Sequence, residues 1–260
     1  MRLRRSAVML SAAVLCAPVS AGADGAHQAV RSLTFDVDVH VAARREVPGA
    51  AISSNRPGVT VRGEPSRVQQ TGGLAPTTTT GAALAAKGSI GIDVVAVTDD
   101  ARLMIDVEET AVKRTRPKVR VAVAPEGVVY YDPRNAANLT EEELALVRWL
   151  ARGFYGDHPK EPGTAWTVDQ SANGYSDLEH YRVVARDAQR VTLDYTQEQR
   201  TQDASGFAQT RGGSLVYDTA LTVPVHATFQ SESRRRTGGT NEMRRTSVTL
   251  TLTADSFAKR

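Results

Sequence analysis

Three polar side chains on one strand are the first residues of this chain that could do chemistry. Asp36, Asp38 and His40 alternate with apolar residues, so the two-residue period of a β-strand places them on one face, about 7 Å apart. Carboxylate and imidazole groups are typical metal ligands. Because three ligands on one straight strand rarely converge on a single ion, we interpret this row as a solvated outer face and expect no metal site.

A second candidate is the triplet Asp218-Thr219-Ala220, which follows an apolar strand. It resembles the Asp-Thr-Gly triplet of aspartic proteases, although Ala220 replaces the glycine and the chain holds no second copy. The sequence contains no Gly-x-Ser-x-Gly, no phosphate-binding glycine loop and no His-Glu-x-x-His. Its five histidines are scattered. We therefore expect no catalytic residue and no cofactor, and an enzyme is the least favoured class.

Arginines are concentrated around one turn near the carboxyl terminus. Residues 234–236 and 244–245 are all arginine, and they flank the turn at Gly238-Gly239. In a hairpin these side chains would be neighbours. Such a patch could meet phosphate or anionic lipid head groups. Alternatively, the charges could protect an edge strand against sheet-to-sheet aggregation, and the sequence leaves both interpretations open.

The first 21 residues are typical of a signal peptide. Three arginines precede the apolar run Ala7 to Ala17, and small residues follow, which favours cleavage before Gly22 or before Asp24. The run is too short to span a bilayer, and no later stretch reaches the roughly 18 apolar residues that a span needs. We therefore expect an exported protein, periplasmic or secreted, with no membrane span after cleavage.

Removal of this leader changes the charge and the cysteine count. The whole chain has 32 Lys plus Arg and 29 Asp plus Glu, and the leader takes away three arginines and no acid, which leaves 29 of each. A near-neutral mature protein does not imply a nucleic-acid partner. The single cysteine, Cys16, is also lost. Disulfides, thiolate metal sites and a cysteine nucleophile are then excluded, so the fold must rely on its apolar core.

The elements that position these residues are mostly strands. Apolar and polar residues alternate in Leu33 to Val41, and again in short segments from Trp166 to Thr253. This pattern predicts a mainly β protein, an antiparallel curved sheet or open barrel folded around one apolar face. The segments Thr71 to Gly88 and Glu46 to Gln70 are rich in turn residues. We interpret the first as a loop, and in the second we expect at most a short strand, Val59 to Arg62.

One helix is expected, from Thr140 to Tyr155, packed on the sheet. Thr140 and Glu143 have the spacing of a capping box, and Gly156 and Pro159 are typical of a helix end.

After the leader we expect a single β-rich domain, 22–260, with two similar halves, 29–138 and 164–254, joined by the helix segment 140–156. Similar hairpins place Asp106 and Asp194 at an offset of 88 residues, and Asp132 and Asp218 at an offset of 86. The alternative is that any two amphipathic hairpins look alike.

Four large aromatic residues lie within eighteen positions of each other, although the chain is poor in aromatic residues. Their place next to the wide apolar arc of the helix predicts a ligand site between helix and sheet, for a lipid or another apolar small molecule. This layout is similar to that of periplasmic lipoprotein carriers of the open-barrel type. In the alternative, the rings only close the core, and the protein is an envelope structural or assembly factor that binds other proteins. The expected ligand-binding residues are Trp149, Phe154, Tyr155 and Trp166.

Overall fold

Alternating apolar residues fold most of the described chain into a single sheet. The structure is a computed structural model that describes residues 29–47, 77–81, 83–111, 114–151, 154, 161–171, 174–203, 206–237 and 239–258. Within these ranges it has thirteen strands and one helix, α1 (Glu141–Trp149). The expected leader, 1–21, and the expected short strand, Val59 to Arg62, lie outside the described residues.

The strands are long in the middle of the sheet and short at its borders. Those before the helix are β1 (Arg31–Val47), β2 (Thr77–Thr80), β3 (Leu84–Val97), β4 (Leu103–Ala111), β5 (Arg114–Thr115), β6 (Val119–Val123) and β7 (Val129–Tyr131). Those after it are β8 (Ala165–Asp169), β9 (Tyr175–Arg186), β10 (Arg190–Thr201), β11 (Ala208–Asp218), β12 (Val223–Thr237) and β13 (Thr240–Asp255).

The sheet is antiparallel and open, with the order β7-β6-β4-β3-β1-β13-β12-β11-β10-β9-β8, while β2 pairs with β1 and β5 with β4. Each half is a meander, and the halves meet where β1 pairs with β13, for example Val37 opposite Leu250. The two border strands, β7 and β8, are consecutive in the chain. The segment between them carries α1, so the helix belongs to the connection that joins the two borders of the sheet.

The sheet curves around the helix. Glu143 contacts Arg116, next to β5, and Arg148 contacts Asp177 on β9. In a flat sheet, β4 and β9 would be about 33 Å apart, at roughly 4.8 Å per strand, whereas five helical residues advance only about 7.5 Å. Both borders must therefore fold toward the helix. The predicted mainly β, antiparallel curved sheet with one helix packed on it is confirmed, and the sheet does not close into a barrel.

The inner face carries one apolar core. On β13 the buried residues Val248 and Leu250 alternate with exposed ones, and on β1 Phe35 and Val37 do the same. The helix adds Leu146, Val147 and Trp149 to this core. Burial of a Leu- or Val-sized side chain contributes about 1.5–3 kcal/mol, so these residues stabilise the contact between α1 and the sheet.

The capping box at the start of the helix is present, because Thr140 Oγ1 accepts from the Glu143 backbone N–H and the Glu143 carboxylate accepts from the Thr140 backbone N–H. The described helix is shorter than the expected Thr140 to Tyr155. After Trp149 the hydrogen bonds tighten to three-residue spacing, with Ala151 N–H donating to the Arg148 carbonyl and Phe154 N–H to the Ala151 carbonyl. Phe154, the one described residue between 152 and 160, is itself helical and buried, so the apolar pattern extends past the end of α1.

The expectation of a loop over Thr71 to Gly88 is wrong for most of its described part. Residues 77–80 form β2, and residues 84–88 begin β3. Both pair with β1, where Thr79 lies opposite Arg45 and Ala86 opposite Val39. Hydrogen bonding to the long β1 strand outweighs the low β-propensity of Ala and Gly. Separately, no described helix has the length and apolarity needed to cross a membrane.

Candidate functional site

The space between α1 and the sheet is filled by an aromatic cluster. Trp149, on the last turn of the helix, is 2% exposed, and its ring lies edge-on to Tyr195 at 5.4 Å and to Phe229 at 6.5 Å. Edge-to-face pairs of this kind add about 0.5–1.5 kcal/mol beyond burial. Among the described residues, the cluster contains Trp149, Phe154, Trp166, Tyr181, Tyr195, Tyr217 and Phe229.

Three of the four sequence-predicted site residues lie in this cluster. Phe154 is 5.0 Å from the Tyr181 ring and 6.3 Å from the Trp166 ring. Trp166 in turn stacks on Tyr181 at 5.4 Å. Tyr155 lies outside the described residues. The fold thus brings Trp149, Phe154 and Trp166 together, as expected from their sequence proximity to the helix.

Sequence reasoning missed the four aromatic residues that β9 to β12 contribute, namely Tyr181, Tyr195, Tyr217 and Phe229. They are far from the helix in the chain, but each continues the inward register of its strand. Tyr195, for example, follows Val191 and Leu193 at a spacing of two, and all three are buried. This two-residue spacing is the sequence feature that could have identified them, because alternate residues of a strand share a face.

A buried polar network lies directly beside the rings. Trp149 Nε1 donates to Tyr181 Oη at 3.3 Å, and Tyr181 Oη donates to Glu179 Oε2 at 2.6 Å. Arg148 Nη1 donates to Glu179 Oε1 at 2.7 Å, and Arg148 Nη2 donates to Asp177 Oδ2 at 3.0 Å. Gln197 Nε2 donates to both carboxylates, at 2.7 and 2.9 Å. Every partner of Asp177 and Glu179 here is a donor, which suits two ionised carboxylates.

The pKa shifts agree with this assignment. Burial lowers the pKa of Arg148, but the neighbouring Glu179 and Asp177 carboxylates outweigh it and raise the pKa above its usual value. Burial and then the Glu179 charge raise the pKa of the Tyr181 hydroxyl well above its ordinary value. The same causes, burial and then Asp177, raise the pKa of Tyr175 to about 12. Arg148 is therefore charged and both tyrosines are protonated donors at neutral pH.

Two further ion pairs tie the amino-terminal turn of α1 to the sheet. Glu143 Oε2 lies 2.7 Å from Arg116 Nη1, and the same guanidinium lies 3.5 Å from Glu109 on β4. Glu141 Oε1 lies 2.9 Å from Arg211 Nη2 on β11. We call the contacts of Glu141, Glu143 and Arg148 with the sheet the ionic latch. The latch joins one helix to both halves of the fold.

The latch region holds more acid than base. Three buried or half-buried arginines face six carboxyl groups. Of these six, only Glu142 has no ion pair within the described residues, and its side chain is buried. Burial raises the pKa of Glu142, and the nearby Glu109 and Glu143 charges raise it further. The carboxyl groups of the latch are Glu109, Glu141, Glu142, Glu143, Asp177 and Glu179.

One small cavity is described beside the latch. A cavity of about 30 Å³ lies next to Arg148, Phe154 and Glu179, which is the volume of one water molecule and far below the ~300–1,000 Å³ of ligand pockets. Among the described residues, the aromatic rings pack in the space between helix and sheet next to this cavity. A ligand would have to displace the helix to reach them.

The row of Asp36, Asp38 and His40 has an ordinary surface role. Asp38 lies 3.2 Å from His40 and 3.0 Å from Lys87, and all three side chains reach solvent. Among the described residues there is no group of three His, Cys, Asp or Glu side chains that could hold a metal ion. Asp218, the aspartate of the triplet, accepts from the backbone N–H groups of Ala220 and Leu221 and so closes a turn.

Comparison with known proteins finds no matching family model, no matching curated protein and no matching solved structure. The function is therefore inferred from the geometry of the helix and the sheet.

Proposed function

We propose that this is an exported, non-enzymatic binding protein that holds a lipid or another hydrophobic ligand between α1 and the concave face of the sheet. The helix acts as a displaceable lid. The observation that supports this most directly is that α1 closes an aromatic-lined apolar surface and is fastened on both sides by ion pairs, from Glu143 to Arg116 and from Arg148 to Asp177.

Ion pairs are suited to hold a lid, because the two charged side chains are hydrated by water once they separate. Arg116, Arg148 and Arg211 are 5–12% exposed at the side chain, so the pairs lie at the margin of the core rather than in its centre. When the helix moves away, the charges gain water as they lose their partners, which offsets much of the electrostatic cost. The apolar rings on the sheet have no such compensation, and an apolar ligand would restore their burial.

The proposal gives the helix residues a defined role. Trp149 occupies the ligand space in the closed form, while Tyr181, Tyr195 and Phe229 form the wall that the ligand contacts once the helix has moved. The chemical class that fits is an acyl chain or a flat apolar molecule, because the wall offers ring faces and edges.

The first test is direct. The mature protein is purified from a host in which it is exported, extracted with organic solvent, and the extract is analysed by mass spectrometry for lipids. The same protein, delipidated, is titrated with a fluorescent fatty acid. Co-extracted lipid and saturable binding support the proposal. A clean extract together with no binding to the delipidated protein overturns it.

A second test separates a lid site from an unrelated surface site. Glu141→Gln weakens the latch at Arg211, so the helix opens more easily and the fatty acid should bind several-fold more tightly, since less of its binding energy goes into opening. Arg186→Gln is the matched control, because it breaks an exposed ion pair to Glu161 that lies away from the helix. Equal affinities in both variants would argue against a lid.

The alternative, an envelope assembly factor that binds partners through its sheet edges, has less support. The border strands β7 and β8 have three and five residues, and edge strands this short are a common protection against strand addition.

A further inference from the structure

The long central strands carry a dense group of arginines at the end that lies beyond the core. The turn-proximal parts of β1, β12 and β13 lie side by side, with Ala43 opposite Arg244, Arg44 and Arg234 opposite Met243, and Arg235 opposite Glu242. We call this region the arginine tip. It contains seven exposed arginines: Arg44, Arg45, Arg234, Arg235, Arg236, Arg244 and Arg245.

The charge of the tip is strongly positive. Its described part holds three glutamates, Glu46, Glu232 and Glu242, against the seven arginines, which leaves a net charge of +4. All of these residues lie within five successive register positions, about 13 Å of strand. The 29 acids and 29 bases expected for the mature chain make this a local concentration of charge rather than a general basicity.

Some of the arginines are held in place by the glutamates. Arg234 lies 2.8 Å and Arg245 lies 3.0 Å from opposite oxygens of Glu232, and Arg44 lies 2.8 Å from Glu46. The hydrogen bonds from Arg234 and Arg245 lower the pKa of Glu232. The remaining four, Arg45, Arg235, Arg236 and Arg244, make no ion pair with the residues that the structure describes.

Protection of an edge strand does not explain this pattern. β13 is paired along this stretch with β1 on one side and β12 on the other, so Arg244 and Arg245 lie on an interior strand. β12 is paired with β11 as far as Arg234, and only Arg235 and Arg236 extend beyond the last pair. Arginine rows across the interior strands of a sheet therefore need another reason.

The arginines point to both sides of the tip. The buried residues Phe229 and Val248 define the inner face of their strands, and by the two-residue period Arg235 and Arg244 lie on that face while Arg236 and Arg245 lie on the other. A folded protein partner would cover one face of the tip. A layer of lipid head groups surrounds an end-on projection on both faces.

Small and apolar side chains accompany the charges. A groove of about 670 Å³ at the base of the tip is lined by Ala42, Ala83, Ala85, Leu84 and Arg245, among others, and Leu84 is 67% exposed. A recess with an apolar floor beside a guanidinium is suited to the junction between a phosphate head group and its acyl chains.

We propose that the arginine tip docks the protein on an anionic phospholipid bilayer surface. The tip enters the head-group layer end-on and its guanidinium groups contact lipid phosphates, while Leu84, opposite Val41, stays at the base of the tip. Guanidinium groups are well matched to phosphate because they donate two parallel hydrogen bonds. This docking does not depend on whether a ligand lies under α1.

Vesicle flotation tests the proposal with the mature, full-length chain. Vesicles of phosphatidylglycerol and phosphatidylcholine are compared with vesicles of phosphatidylcholine alone. Each is tested at low salt and at about 0.5 M NaCl, which screens charges separated by more than roughly 4 Å. Binding to the anionic vesicles is expected, with little binding to the neutral ones and a clear loss at high salt.

The deciding variant is Arg235→Gln/Arg236→Gln/Arg244→Gln. Each basic residue near an anionic surface strengthens binding about fivefold, so the triple variant should bind on the order of 100-fold more weakly. The matched control is Arg182→Gln/Arg190→Gln/Arg200→Gln, which removes three exposed arginines from β9 and β10 and should keep nearly all of the vesicle binding at the same net charge. Because all six side chains are exposed, both variants should melt within a few degrees of the parent protein.

Three outcomes overturn the proposal. The parent protein could fail to bind anionic vesicles at low salt, it could bind neutral vesicles equally well, or the two triple variants could lose the same amount of binding. Tip-dependent binding to polyglutamate without binding to anionic vesicles would identify an acidic protein as the partner and would also overturn it.

Discussion

Trp149 Nε1 donates to the hydroxyl of Tyr181 across 3.3 Å, and this hydrogen bond is the point where the helix, the aromatic cluster and the polar network meet. Trp149 comes from α1 and Tyr181 from β9, 32 residues later in the chain. The Tyr181 hydroxyl in turn donates a hydrogen bond to Glu179, which also accepts from Arg148. Four residues on two elements thus form one chain of donors and acceptors that closes the helix on the sheet.

Replacement of Trp149 tests this closure. Trp149→Ala should lower the free energy of unfolding by about 3–5 kcal/mol, because it removes a large, fully buried ring from between Tyr195 and Phe229. Trp149→Phe should cost less, since it keeps a ring and loses the hydrogen bond. Urea denaturation measures both. Val184→Ala is the control, because Val184 on β9 is 48% exposed and should change stability by less than about 0.5 kcal/mol.

Trp149→Ala also shows whether Trp149 only fills the ligand space or contacts the ligand itself. If a ligand displaces the helix, Trp149→Ala should bind the fluorescent fatty acid more tightly than the parent protein does, because the ring no longer competes for the site. Phe35→Ala, a cavity in the same core on β1, should not have this effect. A loss of affinity in Trp149→Ala would mean that the indole itself contacts the ligand.

Arg148 should stabilise the fold mainly by compensating the buried charges of Asp177 and Glu179, and less by its own packing contacts. Arg148→Met leaves Asp177 and Glu179 charged in a buried site, which should cost about 3–5 kcal/mol at pH 7. Replacing all three residues, in Arg148→Met/Asp177→Asn/Glu179→Gln, should recover most of the stability. A triple variant as unstable as the single one would contradict this account.

Glu142 makes stability depend on pH in the opposite sense to an ordinary paired acid. Its pKa is raised in the folded protein by burial and by the nearby carboxylates, whereas the unfolded value is about 4.3. Its contribution to stability is therefore complete below the unfolded pKa and is lost as the pH rises through the folded pKa. Glu142→Gln should stabilise the protein at pH 7 and have almost no effect near pH 4. Glu108→Gln, at an exposed position on β4, is the matched control for loss of a carboxyl group and should change stability at pH 7 by less than about 0.5 kcal/mol.

Gly213 and Gly212 should respond very differently to alanine. A Cβ at Gly213 would lie 2.0 Å from the Thr228 carbonyl oxygen and 2.7 Å from Phe229 Cα, so β11 and β12 would have to separate. A Cβ at Gly212 meets nothing closer than 3.7 Å. Gly213→Ala should cost at least about 3 kcal/mol, the upper part of the usual range for overpacking, and Gly212→Ala less than about 1 kcal/mol. Thermal unfolding of the pair measures the difference, and equal melting temperatures would show that the strands can move apart.

Local pattern in the sequence determined the secondary structure. Alternation alone indicated the strand Leu33 to Val41, which lies within β1 (Arg31–Val47), because the side chains of a half-buried strand face the apolar core and water in turn. The spacing of Thr140 and Glu143 located the start of the helix, since a capping box involves only neighbouring residues. The sheet is open, antiparallel and accompanied by one helix, as these local patterns predicted.

Only the tertiary structure decided which residues meet under the helix. Tyr181, Tyr195 and Phe229 come from three different strands, and they reach Trp149 because the sheet curves, which no local pattern expresses. In the sequence, Arg148 looks like an ordinary surface charge. In the structure its side chain is largely buried, because β9 places the carboxylates of Asp177 and Glu179 beside it. The strand β2 forms for the same kind of reason, since its threonines pair with the distant β1. Contacts between residues far apart in the chain depend on register and curvature, and these are properties of the whole sheet.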